Sequence, residues 1–174
     1  MPGRPLDRDD LLELFAELSA ELHAEHTVDV IIAGGSFMAL RQLRETTEDV
    51  DSVRRGSHRE FAPLSPGLPP LATSLPIGST ITPWAFAPHG LKATDIVFES
   101  ATLAVRLPRH DDIFLMKLAA AREQDRIDLI ALWPFCSFGS AAAAVTAFHE
   151  RMPMADDDPY LVDYVSEIID AAEH

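Results

Sequence analysis

The sequence predicts an α/β (α+β) fold, in which helices flank a small mixed sheet and a helical C-terminal subdomain follows. Three observations predict it. A strand–turn–helix–strand pattern occupies residues 28–53, which is typical of α/β elements. Strand-like alternation resumes at residues 95–105, and the pattern after residue 110 is helical. We therefore expect a core over residues 1–110, with a helical subdomain over residues 111–174 packed on it.

The elements of the core follow from the spacing of apolar residues. Leucine and phenylalanine side chains between positions 11 and 22 alternate spacings of four and three, which predicts an amphipathic helix over residues 9–26. β-Branched residues predict a buried strand over Val28–Ala33 and a second strand over residues 50–53. Apolar residues at helical spacing predict a short helix over residues 37–43 between these strands.

The later elements are punctuated by proline and by capping residues. Residues 63–88 contain seven of the 13 prolines, which predicts an irregular insertion because proline lacks the amide donor. One strand is expected over residues 95–105. Helices are expected over residues 112–123 and 126–133, then one capped by Ser140 and a last one opened by Asp158 and Pro159.

The composition limits the class of protein. The formal net charge is −14, which argues against a broad nucleic-acid-binding surface, although arginines between positions 41 and 59 leave room for one local basic groove. The single cysteine excludes an internal disulfide and fits a reducing compartment. No apolar run approaches about 18 residues, the length of a membrane span. The N-terminus lacks an apolar signal core, so we expect a cytoplasmic protein with no membrane partner.

A turn of Gly34, Gly35 and Ser36 joins the first strand to the helix that follows it. Glycine lets the backbone approach a ligand closely, and a helix N-terminus offers unpaired amides to phosphate. Ser36 adds a hydroxyl, and Arg44 and Thr47 follow. The turn therefore predicts a phosphate-binding site; a purely structural tight turn is the alternative.

Asp49 and Asp51 are two residues apart at the second strand, so their side chains are expected on one face. Two neighbouring carboxylates repel each other unless a cation compensates. Mg²⁺ prefers hard oxygen ligands and often binds through carboxylates and substrate phosphates. The pair therefore predicts a site for Mg²⁺ or Mn²⁺ that would neutralise the charge of an NTP. A solvated acidic turn is the alternative, because Glu45 and Glu48 are close in sequence.

A second charged group lies on the predicted helices after residue 111. Lys117 interrupts an apolar stripe, so its ammonium either reaches the surface or meets a buried anion. Asp125 and Asp128 are three residues apart and share a helix face. They could bridge Arg122 and Arg126, which would make this group a structural ion-pair network.

Together, the two groups resemble the nucleotidyltransferase superfamily of the DNA-polymerase-β type, and more narrowly its AbiEii-like branch from bacterial toxin–antitoxin loci. That branch carries a Gly-Gly turn, then R-x-x-T-x-D-x-D, then a helix L-x-M-K-L-x-A-x-R followed by D-x-x-D. The resemblance covers residues 28–133. The matching residues are Gly34, Gly35, Ser36, Arg44, Thr47, Asp49, Asp51, Leu115, Met116, Lys117, Leu118, Arg122, Asp125 and Asp128.

The resemblance implies a sheet of the nucleotidyltransferase type and a Mg²⁺-dependent enzyme that transfers a nucleoside monophosphate from an NTP. The implied acceptor is an RNA end or a partner protein, and a cognate toxin or antitoxin is a further implied partner. It implies metal binding by Asp49 and Asp51 and catalytic roles for Asp49, Asp51, Lys117 and Asp128. Lys117 is expected to stabilise phosphate charge, and Asp128 is expected to orient Lys117 or Arg122. The implied nucleotide-binding residues are Gly34, Gly35, Ser36, Arg44, Thr47 and Arg122.

The chain departs from the family pattern at the third carboxylate, which such enzymes carry on a later strand. Asp95 and Glu99, on one face of the strand expected after the proline-rich insertion, are the candidates, and Asp95 is a further candidate metal ligand. Without a third carboxylate the chain would be an inactive module of the same fold that binds a nucleotide or a partner protein.

Overall fold

The computed structural model describes residues 4–24, 26–48, 50–54, 87–120 and 122–174. Asp49 and residues 63–86 of the predicted insertion lie outside the described residues. The chain divides into two compact units. Among the described residues, the first unit takes those up to Arg54 together with residues 94–107, and the second takes residues 87–93 and 108–174. The predicted boundary at residue 110 stays a prediction.

A four-stranded mixed sheet dominates the first unit, in the order β2-β1-β4-β3. β1 pairs antiparallel with β2 and parallel with β4, which confirms the predicted mixed sheet and α/β (α+β) class. The elements in chain order are α1 (Arg8–Glu21), β1 (Val28–Ala33), α2 (Gly34–Leu40), β2 (Asp51–Arg54), β3 (Ala93–Glu99) and β4 (Leu103–Pro108).

α1 begins with a capping box. The carboxylate of Asp7 accepts hydrogen bonds from the backbone amides of Asp9 and Asp10, and the Asp10 side chain accepts from the amide of Asp7. The helix ends at Glu21, where Leu22 becomes extended (φ −72°, ψ 113°). The prediction of a helix as far as residue 26 is therefore too long, because the chain already turns toward β1.

α2 both begins and ends three residues earlier than predicted, because Gly34 to Ser36, expected as a turn before the helix, form its first residues. It ends in a Schellman motif. The amide of Gln42 donates to the carbonyl of Ala39, and the amide of Leu43 donates to the carbonyl of Met38. Gln42 takes the left-handed conformation (φ 58°) that usually selects glycine. The expected signal for the helix end is therefore missing from the sequence.

The strand predicted over residues 95–105 is two strands, β3 and β4, joined by a tight turn. The Ser100 hydroxyl accepts hydrogen bonds from the amides of Thr102 and Leu103, and the Ser100 amide donates to the Leu103 carbonyl. A serine side chain can replace backbone partners in this way. The prediction of one strand is wrong because the turn contains no glycine or proline.

The described part of the second unit is helical, as the sequence predicts. Ser140 caps the third of its α-helices through its hydroxyl, which accepts from the amide of Ala143. The predicted cap at Asp158 is wrong: its carboxylate accepts from the Tyr160 amide in a turn, and the helix begins at Leu161. The elements are α3 (His110–Ala120), α4 (Asp125–Leu132), a 3-10 helix (Trp133–Phe135), α5 (Ala141–Arg151) and α6 (Leu161–Ala172).

Within the described ranges, no helix has both the length and the apolar content that a membrane crossing requires.

Candidate functional site

The end of β1 and the start of β2 lie side by side, because Ala33 pairs with Asp51. The next residue, Gly34, has a positive φ of 58°. A β-carbon on Gly34 would overlap with Oδ2 of Asp51 and would lie 2.8 Å from its Cγ. Only glycine therefore allows the backbone to pass this closely beside the Asp51 carboxylate.

Gly35 is surrounded by two of the other predicted nucleotide-binding residues. A β-carbon at this position would lie 2.5 Å from Oγ1 of Thr47 and 3.3 Å from Nη1 of Arg44. Thr47 is buried, and its amide and carbonyl both bond to Leu6, at 2.9 and 2.7 Å. The hydroxyl and the guanidinium are thus close to the glycine backbone.

Ser36 links the turn to the second strand. Its side chain is fully buried, and its Oγ accepts a hydrogen bond of 3.2 Å from the backbone amide of Asp51. α2, which begins at Gly34, is only seven residues long. Its macrodipole is therefore weaker than that of a long helix, and phosphate binding here would depend on backbone amides and side chains.

The structure brings together the first group of predicted site residues. They are the turn residues, the arginine and threonine that follow, and one of the two aspartates: Gly34, Gly35, Ser36, Arg44, Thr47 and Asp51. Asp49 lies outside the described residues, so its place in the metal pair stays a prediction.

The candidates for the third carboxylate are not beside Asp51. Asp95 and Glu99 lie on β3, at the opposite edge of the sheet from β2. With about 4.8 Å between neighbouring strands, three spacings separate these edges by about 14 Å. The Asp95 carboxylate instead pairs with the guanidinium of Arg41. Arg41 also lies over the ring of Phe37, 5.7 Å from its centroid.

Lys117, in the second unit, is buried between two carboxylates. Its Nζ lies 2.8 Å from Oδ1 of Asp125 and 2.6 Å from Oδ2 of Asp128. The exposed fractions of these side chains are 8% for Lys117 and Asp125 and 3% for Asp128. Lys117 therefore meets buried anions rather than the surface, and among the residues described Asp128 contacts Lys117 rather than Arg122. The contact of Asp125 with Lys117 was not predicted from the sequence. Arg122 is exposed, and it forms no ion pair within the described part of the chain.

One further buried ion pair in the second unit was not anticipated. The Asp112 side chain is 1% exposed and pairs with Nη2 of Arg151, at the end of α5. Nε of Arg151 donates to the carbonyl of His89, whose amide donates to the carbonyl of Arg151. No local pattern in the sequence indicates this contact, because the partners are 39 and 62 residues apart.

The residues around Gly34 and Gly35 carry chemical groups that suit a phosphate and a hard cation. Asp51 offers a carboxylate, one of the oxygen donors that Mg²⁺ prefers, whereas the hydroxyls of Ser36 and Thr47 are buried. Arg44 offers a guanidinium suited to phosphate. Within the described residues, no three His, Cys, Asp or Glu side chains cluster as a complete metal site. The described residues therefore contribute one candidate carboxylate ligand at this place, and the Mg²⁺ site stays a prediction.

Comparison of the chain with protein-family models, with curated proteins and with solved structures yields no significant match. The resemblance to nucleotidyltransferases therefore depends on the two motif groups. Gly34 to Asp51 belong to the first unit and Lys117 to the second. We expect from the sequence that the two groups converge on one cleft, and this stays a prediction.

Proposed function

We propose that this chain is a Mg²⁺-dependent nucleotidyltransferase that moves a nucleoside monophosphate from an NTP to an acceptor hydroxyl. The observation that carries this proposal is the close fit of Gly34 and Gly35 against Asp51, Thr47 and Arg44. A structural turn alone would explain the positive φ of Gly34. It would not explain why a carboxylate, a hydroxyl and a guanidinium all adjoin the glycine backbone.

Each of these groups has a distinct role in the proposed reaction. Asp51, together with Asp49, binds the metal, which supplies charge neutralisation for the triphosphate when it is bound. The backbone at Gly35 and the guanidinium of Arg44 bind phosphate oxygens. Ser36 holds the Asp51 backbone in register through its hydrogen bond, so its contribution includes positioning the carboxylate.

The proposed chemistry is a displacement at the α-phosphorus. A bond forms from the acceptor oxygen to phosphorus, the bond to the pyrophosphate leaving group breaks, and the hydroxyl proton passes to a carboxylate. Little covalent chemistry is required of the protein, so orientation and charge stabilisation supply most of the rate.

We assign Lys117 the role of stabilising phosphate charge, with Asp128 and Asp125 as its positioning residues. Two carboxylates hold one ammonium, so the three side chains carry a formal charge of −1. Lys117 is therefore already neutralised within the second unit, and a phosphate oxygen would have to compete for it. Arg122 is a further candidate for phosphate binding because its side chain is exposed.

The acceptor is proposed to be a partner protein or a small, locally bound RNA end, and the partner protein includes a cognate toxin or antitoxin. The net charge of −14 opposes extended contact with a nucleic-acid backbone. A short end held beside the local arginines, or a protein side chain bearing a hydroxyl, is compatible with that charge.

One observation supports a second candidate function, an inactive module that binds nucleotide or a partner protein. Asp95, a candidate for the third carboxylate, is engaged by Arg41 at the opposite sheet edge from Asp51. Without a general base, the site would bind NTP and transfer nothing.

The deciding experiment is incubation of the protein with Mg²⁺, each of the four α-labelled NTPs and a total cell extract. We expect one NTP to label a protein or RNA species, with loss of labelling in Asp51→Asn. Asp29→Asn is the matched control, because it also removes a strand carboxylate, one that pairs with Arg106. Equal labelling by the wild type and Asp51→Asn would contradict the proposal.

The thermal melting of the same proteins separates the two candidate functions. NTP with Mg²⁺ should raise the melting temperature of the wild type, because a ligand that binds only the folded state stabilises it. A raised melting temperature without any labelled product would favour the inactive module. In the labelling experiment, an Asp95→Asn variant that labels as well as the wild type would exclude Asp95 as the general base.

A further inference from the structure

A groove of about 570 Å³ lies in the second unit beside α5, α6 and the 3-10 helix. Its volume falls within the roughly 300–1,000 Å³ typical of binding pockets. Trp133 and Phe138 line it with stacked rings, whose centroids are 6.4 Å apart at an interplanar angle of 24°. Three small residues also line the groove and leave the aromatic surface accessible: Gly139, Ala141 and Ala142.

α6 has one apolar stripe that is buried in the second unit and a neighbouring mixed face that lines the groove. The stripe that is buried in the second unit consists of Leu161, Val165 and Ile168. The neighbouring face lines the groove at spacings of four, three and four: Val162, Ser166, Ile169 and Glu173. Val162 is 40% exposed, so this face adds an accessible apolar side chain beside the aromatic rings, together with polar positions at Ser166 and Glu173.

The groove carries negative charge along one side. Asp170 and Glu173 line it, and α6 contains no lysine or arginine. Among the described residues, neither carboxylate is paired with a cation, whereas Glu167 lies 3.9 Å from Arg126. An apolar surface bordered by two uncompensated carboxylates favours an apolar ligand that carries positive charge at its edge.

We infer that this groove binds an amphipathic helix of a partner protein, whose apolar stripe is flanked by lysine or arginine. A helix laid in an apolar groove is a common recognition mode, and anchors at spacings of three and four fit the length of α6. Nucleic acid is disfavoured by the carboxylates. A second copy of this chain is disfavoured by its net charge of −14.

The test uses the fluorescence of Trp133, which lines the groove. The chain has two tryptophans, Trp84 and Trp133, so Trp84→Phe makes Trp133 the only reporter. This protein is titrated with a synthetic helical peptide that has leucine at positions 1, 4, 8 and 11 and lysine on both flanks. A second peptide replaces each lysine with glutamate. We expect saturable binding of the lysine peptide, weakened by salt, and none of the glutamate peptide.

Two double variants with the same change of charge locate the binding site. Asp170→Lys with Glu173→Lys should weaken binding of the lysine peptide by about tenfold or more, because the contact charges are reversed. Glu13→Lys with Glu17→Lys, at exposed positions of α1, should change the affinity less than about threefold, through screened long-range attraction alone. Val162→Asp should also weaken binding, because it replaces an exposed apolar side chain of the groove lining with a charged one.

Several results would overturn the inference. These are equal binding of the two peptides, equal effects of the two double variants, or no binding of the lysine peptide at millimolar concentration. Dimerisation that is lost on Val162→Asp would assign the groove to a second copy of this chain instead.

Discussion

The carboxylate of Asp51 occupies the space that a β-carbon of Gly34 would need, and the Cγ of Asp51 would be 2.8 Å from that carbon. The two residues are therefore coupled: the backbone conformation at one fixes where the carboxylate of the other can lie. Pairing of Ala33 with Asp51 maintains this relationship from the sheet side. Any side chain at Gly34 must move the proposed metal ligand.

Gly34→Ala is expected to lower the free energy of unfolding by more than the backbone term alone. The left-handed conformation costs a non-glycine residue about 1–2 kcal/mol, and displacement of Asp51 adds to it. Gly90→Ala is the matched control, since Gly90 has φ 73° and no heavy atom lies within 4 Å of its added β-carbon. Urea unfolding gives both values. Equal losses in the two variants would show that the Asp51 contact costs nothing.

Lys117→Met is expected to be strongly destabilising, because it leaves Asp125 and Asp128 buried without their cation. Breaking a buried ion pair by removal of one partner typically costs about 3–5 kcal/mol. Asp128→Asn should cost less, since the ammonium keeps Asp125 at 2.8 Å. The control is Lys92→Met, at an exposed position of the same unit. It should change the unfolding free energy by less than about 0.5 kcal/mol.

Urea unfolding of the three variants tests this order. If Lys117→Met is no less stable than Lys92→Met, the two carboxylates are compensated in some other way and Lys117 is not their structural partner.

Arg151→Lys is expected to destabilise the second unit although it keeps the positive charge. One guanidinium bonds to the Asp112 carboxylate and to the His89 carbonyl at once. An ammonium lacks the planar fork that serves both acceptors. Arg126→Lys is the control, because its pair with Glu167 is 3.9 Å long and largely exposed. A melting temperature of Arg151→Lys equal to that of Arg126→Lys would contradict the prediction.

The sequence was sufficient for the elements whose signals are local. The β-branched run from Val28 to Ala33 is observed as a strand with the predicted bounds, and Ser140 caps α5 as its hydroxyl suggested. Gly34 and Gly35 were also recognisable, because a pair of glycines directly after a strand indicates a position where the backbone needs glycine. Errors came from Gln42 and Ser100, which end a helix and form a turn without glycine or proline.

Partners distant in sequence could not be predicted. The pairing of Arg41 with Asp95 depends on β3 lying at the far edge of the sheet, and no local pattern encodes strand order. The burial of Asp112 against Arg151 depends in the same way on helix packing. Lys117 and its aspartates are closer in sequence, eight and 11 residues apart, but they lie on two consecutive helices. The apolar stripe around Lys117 suggested a buried anion, whereas spacing within one helix could not identify both partners.

Cys136, the only cysteine in the chain, is expected to react slowly with iodoacetamide in the folded protein. Burial, and to a smaller extent the negative charge of Asp111, raises the pKa of its thiol. The thiolate is the reactive form, and a raised pKa leaves less of it at every pH below that value. The alkylation rate should therefore keep rising with pH beyond about 8.5, the ordinary value for cysteine. In urea the rate should level off above that pH. A native rate that levels off at the same pH would show that Cys136 is in contact with water.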